Sequence, residues 1–201
     1  MEYISIFFVS FLLVFFSELG DKTQLLVLSF SGKNSAKSIL LGVAIGTFFS
    51  HGLAIIFGTS LGNLENEAIQ NTLKLLTYFT FLIFGICGFL SKKSSSDEND
   101  SSLLRKLNKF SLNCTLIVAL SIFIGEIGDK TFLSSIGLGI EYPNFKISLI
   151  LGSICVMFTS NSIAIFFGKL IGNKLPENVI STISNLIFIV FGIIGFVSYF
   201  V

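Results

Sequence analysis

The feature that most constrains the fold is a duplicated charged hexapeptide embedded in apolar sequence. The strings Glu18-Leu-Gly-Asp-Lys-Thr23 and Glu126-Ile-Gly-Asp-Lys-Thr131 begin 108 positions apart, and apolar runs surround both of them. A charged side chain at membrane depth costs about 2.5–3.5 kcal/mol on insertion scales and usually marks an ion or proton pathway. Because the arrangement occurs twice, it predicts one site built from two copies.

Apolar stretches long enough to cross a bilayer recur along nearly the whole chain. Hydrophobic residues make up 52% of the sequence and charged residues only 12%, whereas soluble domains carry about 25% charged residues. A membrane-spanning helix needs about 20 apolar residues. The sequence therefore predicts an all-α membrane protein, without a soluble catalytic domain and without a nucleic-acid-binding surface. Its six transmembrane helices are predicted at 3–30, 35–61, 70–91, 111–139, 145–171 and 179–200.

The duplication extends well beyond the hexapeptides. Leu41-Gly42 returns as Leu151-Gly152, and Phe84-Gly-Ile-Cys-Gly-Phe89 returns as Phe191-Gly-Ile-Ile-Gly-Phe196. An odd number of spans in each half reverses the direction of the second half. The chain is therefore predicted to form two inverted-topology repeats of three helices, with a site at the midplane between them. The predicted units are a first repeat at 1–91, a charged linker at 92–110 and a second repeat at 111–201.

The basic residues outside the spans predict the orientation in the membrane. Nine of them lie on the side of the linker and two on the other side, and cytoplasmic loops are the ones enriched in Lys and Arg. The linker is therefore expected in the cytoplasm, with both termini on the opposite side. The nine are Lys33, Lys37, Lys92, Lys93, Arg105, Lys106, Lys109, Lys169 and Lys174, and the two are Lys74 and Lys146.

Four acidic residues of the hexapeptides are the predicted cation ligands. In a continuous helix, each Glu, Asp and Lys of one copy would share a face, because residues three and four apart are neighbours. The glycine between the acids allows either close helix approach or local unwinding. Four carboxylates and two lysines sum to a charge of −2, which one divalent cation or two protons would balance. The four ligands are Glu18, Asp21, Glu126 and Asp129.

Several polar residues near the acids are accessory or pathway candidates. The lysines either balance charge or gate the site, and the threonines either add hydroxyl ligands or bond to their own helix. His51 aligns with Asn161 and Ser50 with Ser160, and these pairs either line the pathway or form helix–helix hydrogen bonds. Gln24 has Phe132 as its counterpart, which argues against a pathway role. The accessory set is Lys22, Thr23, Lys130, Thr131, Ser50, His51, Ser160 and Asn161.

A structural alternative is that each hexapeptide forms a Glu–Lys ion pair four residues apart that only stabilises the bundle. That alternative leaves both aspartates unexplained. Oxygen-only ligands favour a hard cation such as Ca²⁺, Mg²⁺ or Mn²⁺. Cys87, Cys114 and Cys155 form no CxxC pattern, so neither a zinc site nor a disulfide is predicted, and no resident cofactor is expected.

The two hexapeptides carry a family resemblance. The pattern Glu-x-Gly-Asp-(Lys/Arg)-(Ser/Thr), present twice in a six-span chain, resembles the Ca²⁺:cation antiporter-2 family over essentially the whole sequence. The resemblance implies secondary transport of Mn²⁺, with Ca²⁺ as the alternative, in exchange for protons. It also implies export from the cytoplasm in a bacterial inner membrane or a thylakoid-type membrane, and it assigns cation binding to the four acids named above.

The expected function is alternating-access exchange of a divalent cation for protons. A cation channel is the first alternative, although buried carboxylates beside lysines suit tight binding better than rapid passage. An intramembrane metal-dependent enzyme is the second, yet a single active site has no need of two intact motifs. The expected partners are the lipid bilayer, the cation and H⁺, and the sequence leaves the choice between a monomer and a homo-oligomer open.

Overall fold

The computed structural model describes residues 1–18, 22–31, 34–90, 113–171 and 177–200, and every regular element within them is helical. The predicted linker at 92–110 lies outside these ranges. A single 3₁₀ turn, Pro143–Phe145, precedes the seventh helix. The helices are α1 (Glu2–Glu18), α2 (Lys22–Ser31), α3 (Ala36–Gly62), α4 (Glu67–Leu90), α5 (Cys114–Glu126), α6 (Lys130–Glu141), α7 (Lys146–Ile171) and α8 (Glu177–Phe200).

Side-chain caps fix the start of two long helices. The Ser35 hydroxyl accepts a hydrogen bond from the Ser38 backbone N–H at 3.2 Å at the start of α3. The Asn66 side-chain oxygen accepts from the backbone N–H groups of Ala68 and Ile69 at the start of α4. The first N–H groups of a helix have no partner within the helix, and such caps satisfy them where the chain enters the bundle.

The predicted spans include long helices and a broken one. Within the described ranges, three helices are long and apolar enough to cross a bilayer, at Ala36–Gly62, Glu67–Cys87 and Pro143–Phe166. The span that carries the second hexapeptide is divided into two shorter helices, α5 and α6, whereas in the span that carries the first one residues 19–21, between α1 and α2, lie outside the described ranges. The described ranges are therefore all-helical, with three helices long and apolar enough to cross a bilayer, and the second motif span differs from the uninterrupted helix expected at 111–139.

Polar and apolar side chains are distributed as in a protein that is surrounded by lipid. Large apolar side chains point outward, including Phe48, Phe57 and Phe166 at 49%, 57% and 75% exposure. Small polar side chains lie inside, as in the contact between Ser10 and Ser153, whose hydroxyls are 3.3 Å apart. An apolar exterior of this extent would be a liability in water, whereas in a bilayer it matches the surrounding hydrocarbon.

Two long helices, α3 and α7, form the centre of the bundle. Helix α3 packs against α5, α6 and α7, while α7 also packs against α1 and α2. Helices α4 and α8 pack against each other. Helix α3 therefore packs against the two helices that flank the second hexapeptide, and α7 against the two that flank the first, which places side chains of both central helices beside the motifs.

Close helix contacts occur at matching positions in the two halves. A Cβ added at Gly42 would lie 2.6 Å from the Thr115 carbonyl oxygen, and one added at Gly152 would lie 2.9 Å from the Phe7 carbonyl oxygen. Likewise, Gly85 faces the Asn185 carbonyl at 2.7 Å and Gly192 faces the Tyr78 carbonyl at 3.1 Å. Glycine permits these close approaches because it has no side chain, as is common at helix interfaces in membranes.

Candidate cation-binding site

The second hexapeptide forms a sharp break in its span. Helix α5 ends at Glu126, Ile127 is extended with φ −61° and ψ 119°, and Gly128 has a φ of +84°. Helix α6 begins at Lys130, with Asp129 at its N-cap position. A φ of +84° suits glycine because a Cβ there would clash with the backbone.

The expectation that Glu126, Asp129 and Lys130 share one continuous helix face is therefore wrong. These residues belong to two helices and the turn between them, so the spacing of three and four no longer places them side by side. Local unwinding at the glycine, the alternative raised from the sequence, is what the structure contains. Within the described residues Lys130 forms no ion pair with Glu126, which argues against the purely structural Glu–Lys pair in this copy.

The first hexapeptide is described only in part, because residues 19–21 lie outside the described ranges. Helix α1 ends at Glu18 and helix α2 begins at Lys22. The predicted ligand Asp21 and the side chain of Lys22 lie outside the described part of the chain. Within that part, the first copy therefore contributes Glu18 and Thr23 to the geometry of the site.

Both glutamates are buried, and each accepts a hydrogen bond from the threonine of its own motif. The side chains of Glu18 and Glu126 are each 1% exposed. The Thr23 hydroxyl donates to Glu18 Oε2 at 3.4 Å, and the Thr131 hydroxyl donates to Glu126 Oε2 at 3.1 Å. The threonine lies five residues after the glutamate in both copies. The hydroxyl thus connects α2 to the end of α1 in the first copy and α6 to the end of α5 in the second.

The two glutamates come together beside the single histidine of the chain. One ligand atom each from Glu18, His51 and Glu126 lie within 4.8 Å of one another. His51 is completely buried on α3, and its Nε2 is 3.6 Å from Glu126 Oε2. Its other ring nitrogen, Nδ1, is 2.8 Å from the Ser135 hydroxyl of α6. The structure therefore moves His51 from an accessory position to the centre of the cluster.

Three further predicted residues, Asp129, Ser50 and Asn161, lie outside the three-residue cluster. Asp129 is partly buried at the start of α6, and its Oδ2 has no hydrogen-bond partner among the described residues. The Ser50 hydroxyl donates to the Thr47 carbonyl of its own helix at 3.4 Å, and the Asn161 amide donates to the Met157 carbonyl at 2.8 Å. The Thr47 and Asn161 side-chain oxygens are buried without a hydrogen-bond partner in the described ranges.

Two contacts of the site were not expected from the sequence. Gln24 donates to the Ser160 hydroxyl and, at 2.9 Å, to the Glu18 backbone carbonyl, so it connects α2 both to α7 and to the end of α1. Ser135 holds His51, although it carries no motif and has valine, Val27, 108 positions earlier. The sequence offered one indication of a role for Ser135, namely that its hydroxyl lies in an apolar segment and has no counterpart in the first half.

The cluster offers the chemistry of a cation site. Two carboxylates supply hard oxygen ligands, and imidazole supplies a nitrogen that transition-metal ions accept. Two ligands of one ion lie at most twice the bond length apart, roughly 4–5 Å for bonds of about 2.0–2.6 Å. The ligand atoms of the three residues lie within 4.8 Å of one another, which fits that span. Two buried carboxylates at this distance favour occupancy by a cation or by protons.

Comparison with known protein families gives a match over nearly the whole chain. The family described as "Divalent cation/proton antiporter GDT1" matches residues 6–96 and 114–200. The gap between the two matched segments contains most of the predicted linker. Each matched segment contains one of the two hexapeptides.

Individual relatives come from plants and bacteria. "Protein PAM71, chloroplastic" of Arabidopsis thaliana is 28% identical over 90% of this chain and 54% of its own length. "GDT1-like protein 1, chloroplastic" of Oryza sativa subsp. japonica is 28% identical over 94% of this chain and 60% of its length. A Vibrio cholerae protein named "Putative manganese exporter" is 26% identical over 92% of this chain and 87% of its length. The chain thus spans little more than half of the two plant relatives, and no solved structure matches it.

Proposed function

The chain belongs to the family of divalent cation/proton antiporters described as GDT1, and on that premise we propose that it exchanges a divalent cation for protons across a membrane. The resemblance drawn from the two hexapeptides is confirmed by this membership. The family is one of transporters, so the alternative of an intramembrane enzyme is set aside. Its description names the exchanged cations and protons and indicates no resident cofactor.

The observation that carries the proposal is the pairing of Glu18 with Glu126. The two carboxylates come from different copies of the motif, are each 1% exposed, and lie with His51 in one cluster. Isolated charges are expensive to bury, and like charges close together are more so. Binding of a divalent cation relieves this repulsion, and so does binding of protons. An exchanger requires a site that the two occupy in turn. Asp21 and Asp129 are proposed as further ligands, and Lys22 and Lys130 as charge-balancing residues.

The helix break in the second hexapeptide supports a transport role for the same site. It places the end of α5 and the backbone N–H groups at the start of α6 beside Glu126. Discontinuous helices of this kind form cation sites near the bilayer midplane in many secondary transporters.

The matching contacts of the two halves support an alternating-access arrangement of inverted repeats. Gly42 and Gly152 face equivalent carbonyls, as do Gly85 and Gly192, and the family match has one segment in each half. In the proposed arrangement the repeats 1–91 and 111–201 are oppositely oriented and rock about a midplane site. The linker 92–110 then lies in the cytoplasm and both termini lie on the other side, as the basic residues predict.

Manganese is the favoured cargo, with calcium as the alternative. One relative is named as a manganese exporter, and the proposed direction for this chain is likewise out of the cytoplasm. The membrane would be a bacterial inner membrane or a thylakoid-type membrane, since the relatives are bacterial and chloroplast proteins. Both Mn²⁺ and Ca²⁺ accept carboxylate oxygens, so the two glutamates by themselves do not separate them.

Flux measurements in proteoliposomes test the proposal. An imposed pH gradient should drive Mn²⁺ against its own gradient, with the membrane potential clamped to exclude an electrical driving force. Glu18→Gln and Glu126→Gln keep the side-chain size but remove the charge, and each should lower the flux about 100-fold or more, equivalent to about 3 kcal/mol. Glu67→Gln removes an exposed carboxylate at the start of α4 and is the matched control.

Three results would contradict this function. Metal flux that ignores the pH gradient and follows only the metal gradient would indicate a channel. Wild-type Mn²⁺ and Ca²⁺ flux in both glutamine variants would place the site elsewhere. Absence of any metal flux by the wild-type protein would remove the exchange function itself.

A further inference from the structure

We infer that His51 is a nitrogen ligand of the transported cation and the residue that makes the site prefer Mn²⁺ over Ca²⁺, an inference that rests on the proposed exchange function. The hexapeptides contribute only oxygen ligands, so they do not account for such a preference. His51 lies outside both motifs, on α3, and is the only imidazole in the chain.

The position of the ring is that of a ligand which shares an ion with Glu126. Its Nε2 lies 3.6 Å from Glu126 Oε2, beyond the 2.7–3.2 Å range of direct N–H···O hydrogen bonds. Two adjacent ligands of one ion lie roughly 3–4 Å apart when the bonds are about 2.0–2.6 Å long. Nε2 forms no hydrogen bond with any described residue and is completely buried. The separation thus fits an ion between the two side chains better than a direct contact between them.

Ser135 fixes the ring in the orientation that ligation requires. The Ser135 hydroxyl oxygen is 2.8 Å from His51 Nδ1. In the proposed site Nδ1–H donates to this oxygen, which leaves the lone pair of Nε2 for the cation. Metal-binding histidines usually donate their second N–H to a neighbouring group in this way. Ser135 lies on α6, the helix that follows the break in the second hexapeptide, and therefore connects the histidine to the motif. Ser135 is a positioning residue because it acts through His51.

The donor set explains why this side chain affects the choice of metal. Calcium binds six to eight oxygen ligands and has little affinity for imidazole. First-row transition-metal ions accept imidazole together with carboxylates, and Mn²⁺ is the weakest binder among them. A site with two carboxylates and one imidazole therefore favours Mn²⁺ over Ca²⁺ relative to the same site without the ring. The counterpart of His51 in the second half, Asn161, bonds to its own helix and provides no such nitrogen.

A purely structural histidine would serve only to hold α3 against α6. That role is satisfied by the Nδ1 contact with Ser135 and predicts no interaction between Nε2 and the metal. The two roles differ in a spectroscopic property, because only a ligand transfers spin density from Mn²⁺ to a ring nitrogen. The difference is therefore measurable without any reference to transport.

Pulsed electron paramagnetic resonance on the Mn²⁺-loaded protein in nanodiscs tests the ligation. Because the chain has one histidine, any imidazole ¹⁴N modulation comes from His51, provided that the affinity tag is not a polyhistidine. The wild-type protein should show this modulation, and His51→Asn should lose it. Ser135→Ala should keep a weaker modulation and lower Mn²⁺ affinity about 10–100-fold, as loss of a group that orients a ligand typically does.

The transport ratio of the two metals is the second measurement. His51→Asn should lower the ratio of Mn²⁺ to Ca²⁺ flux about tenfold, and its retained Ca²⁺ flux shows that the variant is folded. Ser60→Ala removes an exposed hydroxyl of the same helix and is the matched control, with an unchanged ratio.

The outcomes separate this inference from the function on which it rests. Bound Mn²⁺ without ¹⁴N modulation, or an unchanged flux ratio in His51→Asn, overturns the role of His51 and leaves proton-coupled exchange standing. Loss of both metal fluxes in His51→Asn, with ¹⁴N modulation absent from the wild type, also overturns it, in favour of a structural histidine. A wild-type protein that transports neither metal overturns the exchange function and the inference together.

Discussion

The two halves of the site share their carboxylates but differ in the central helix that faces them. In both halves a glutamate ends a helix and a threonine five residues later donates to it. On α3, however, the facing residue is His51, which contacts Ser135 of the other half. On α7 the corresponding residue is Asn161, which bonds to its own helix at the Met157 carbonyl. The carboxylates are duplicated, and the nitrogen donor is not.

This difference separates two requirements of the proposed mechanism. A site that opens alternately to two sides needs charge from both repeats, because each repeat moves relative to the other. Discrimination between metals needs only one ligand of the right chemistry, and a single copy suffices. The polar contacts near the two motifs also differ. Gln24, which follows the first motif, donates to Ser160, whereas its counterpart after the second motif is the apolar Phe132.

The largest expected effect comes from exchanging the two central residues. The double variant His51→Asn/Asn161→His retains one histidine and one asparagine but moves the imidazole to the half in which Val27 replaces the serine hydroxyl. Because the ring then lacks its orienting partner, we expect Mn²⁺ affinity about 10–100-fold below that of the wild type. Isothermal titration with Mn²⁺ measures this. Wild-type affinity in the exchanged protein would mean that the two halves are interchangeable and that Ser135 is irrelevant.

Packing of α4 against α8 gives an intermediate effect and tests the similarity of the halves. A Cβ at Gly85 would lie closest to the Ile189 side chain and 2.7 Å from the Asn185 carbonyl oxygen. At Gly192 the backbone is farther away, with the Leu82 side chain at 2.7 Å and the Tyr78 carbonyl oxygen at 3.1 Å. We expect Gly85→Ala to destabilise the protein by about 1–3 kcal/mol and Gly192→Ala by less. Thermal unfolding in detergent gives the order of the midpoints.

Gly125→Ala is the control for this pair, because nothing lies within 4 Å of its added Cβ and its midpoint should not fall. A lower midpoint for Gly192→Ala than for Gly85→Ala would show that backbone contact does not determine the tolerance of these positions.

The threonines provide the smallest effect and compare the two motif copies directly. Thr131 donates to Glu126 at 3.1 Å and Thr23 to Glu18 at 3.4 Å. Removing the shorter bond with Thr131→Val should cost about 1 kcal/mol, or roughly fivefold in apparent Mn²⁺ affinity, and Thr23→Val should cost less. Concentration-dependent flux in proteoliposomes gives both values. Thr→Ser at each position keeps the hydroxyl and should restore the affinity, so equal losses in valine and serine variants would exclude the hydrogen bond as the cause.

The amino-acid sequence by itself determined the helical membrane character, the duplication and the acidic residues. Hydropathy identifies the segments that favour lipid, because transfer of about 20 apolar residues into the bilayer contributes more free energy than any single local feature of the sequence. Charged side chains inside such segments are rare enough to mark function without further information. For that reason Glu18 and Glu126 were found from their surroundings, and the family membership followed from the same two strings.

Only the tertiary structure decided where the second motif span breaks and which groups meet there. The hexapeptide is compatible with both a continuous helix and a turn, because glycine adopts the left-handed φ of Gly128 about as readily as the helical φ. Helix α3 is apolar on several faces, so periodicity does not reveal which face His51 occupies. Its contact with Ser135 depends on close packing of α3 against α6 at Gly58 and Gly139. That approach involves backbone atoms far apart in the chain, and hydropathy patterns carry no information about it.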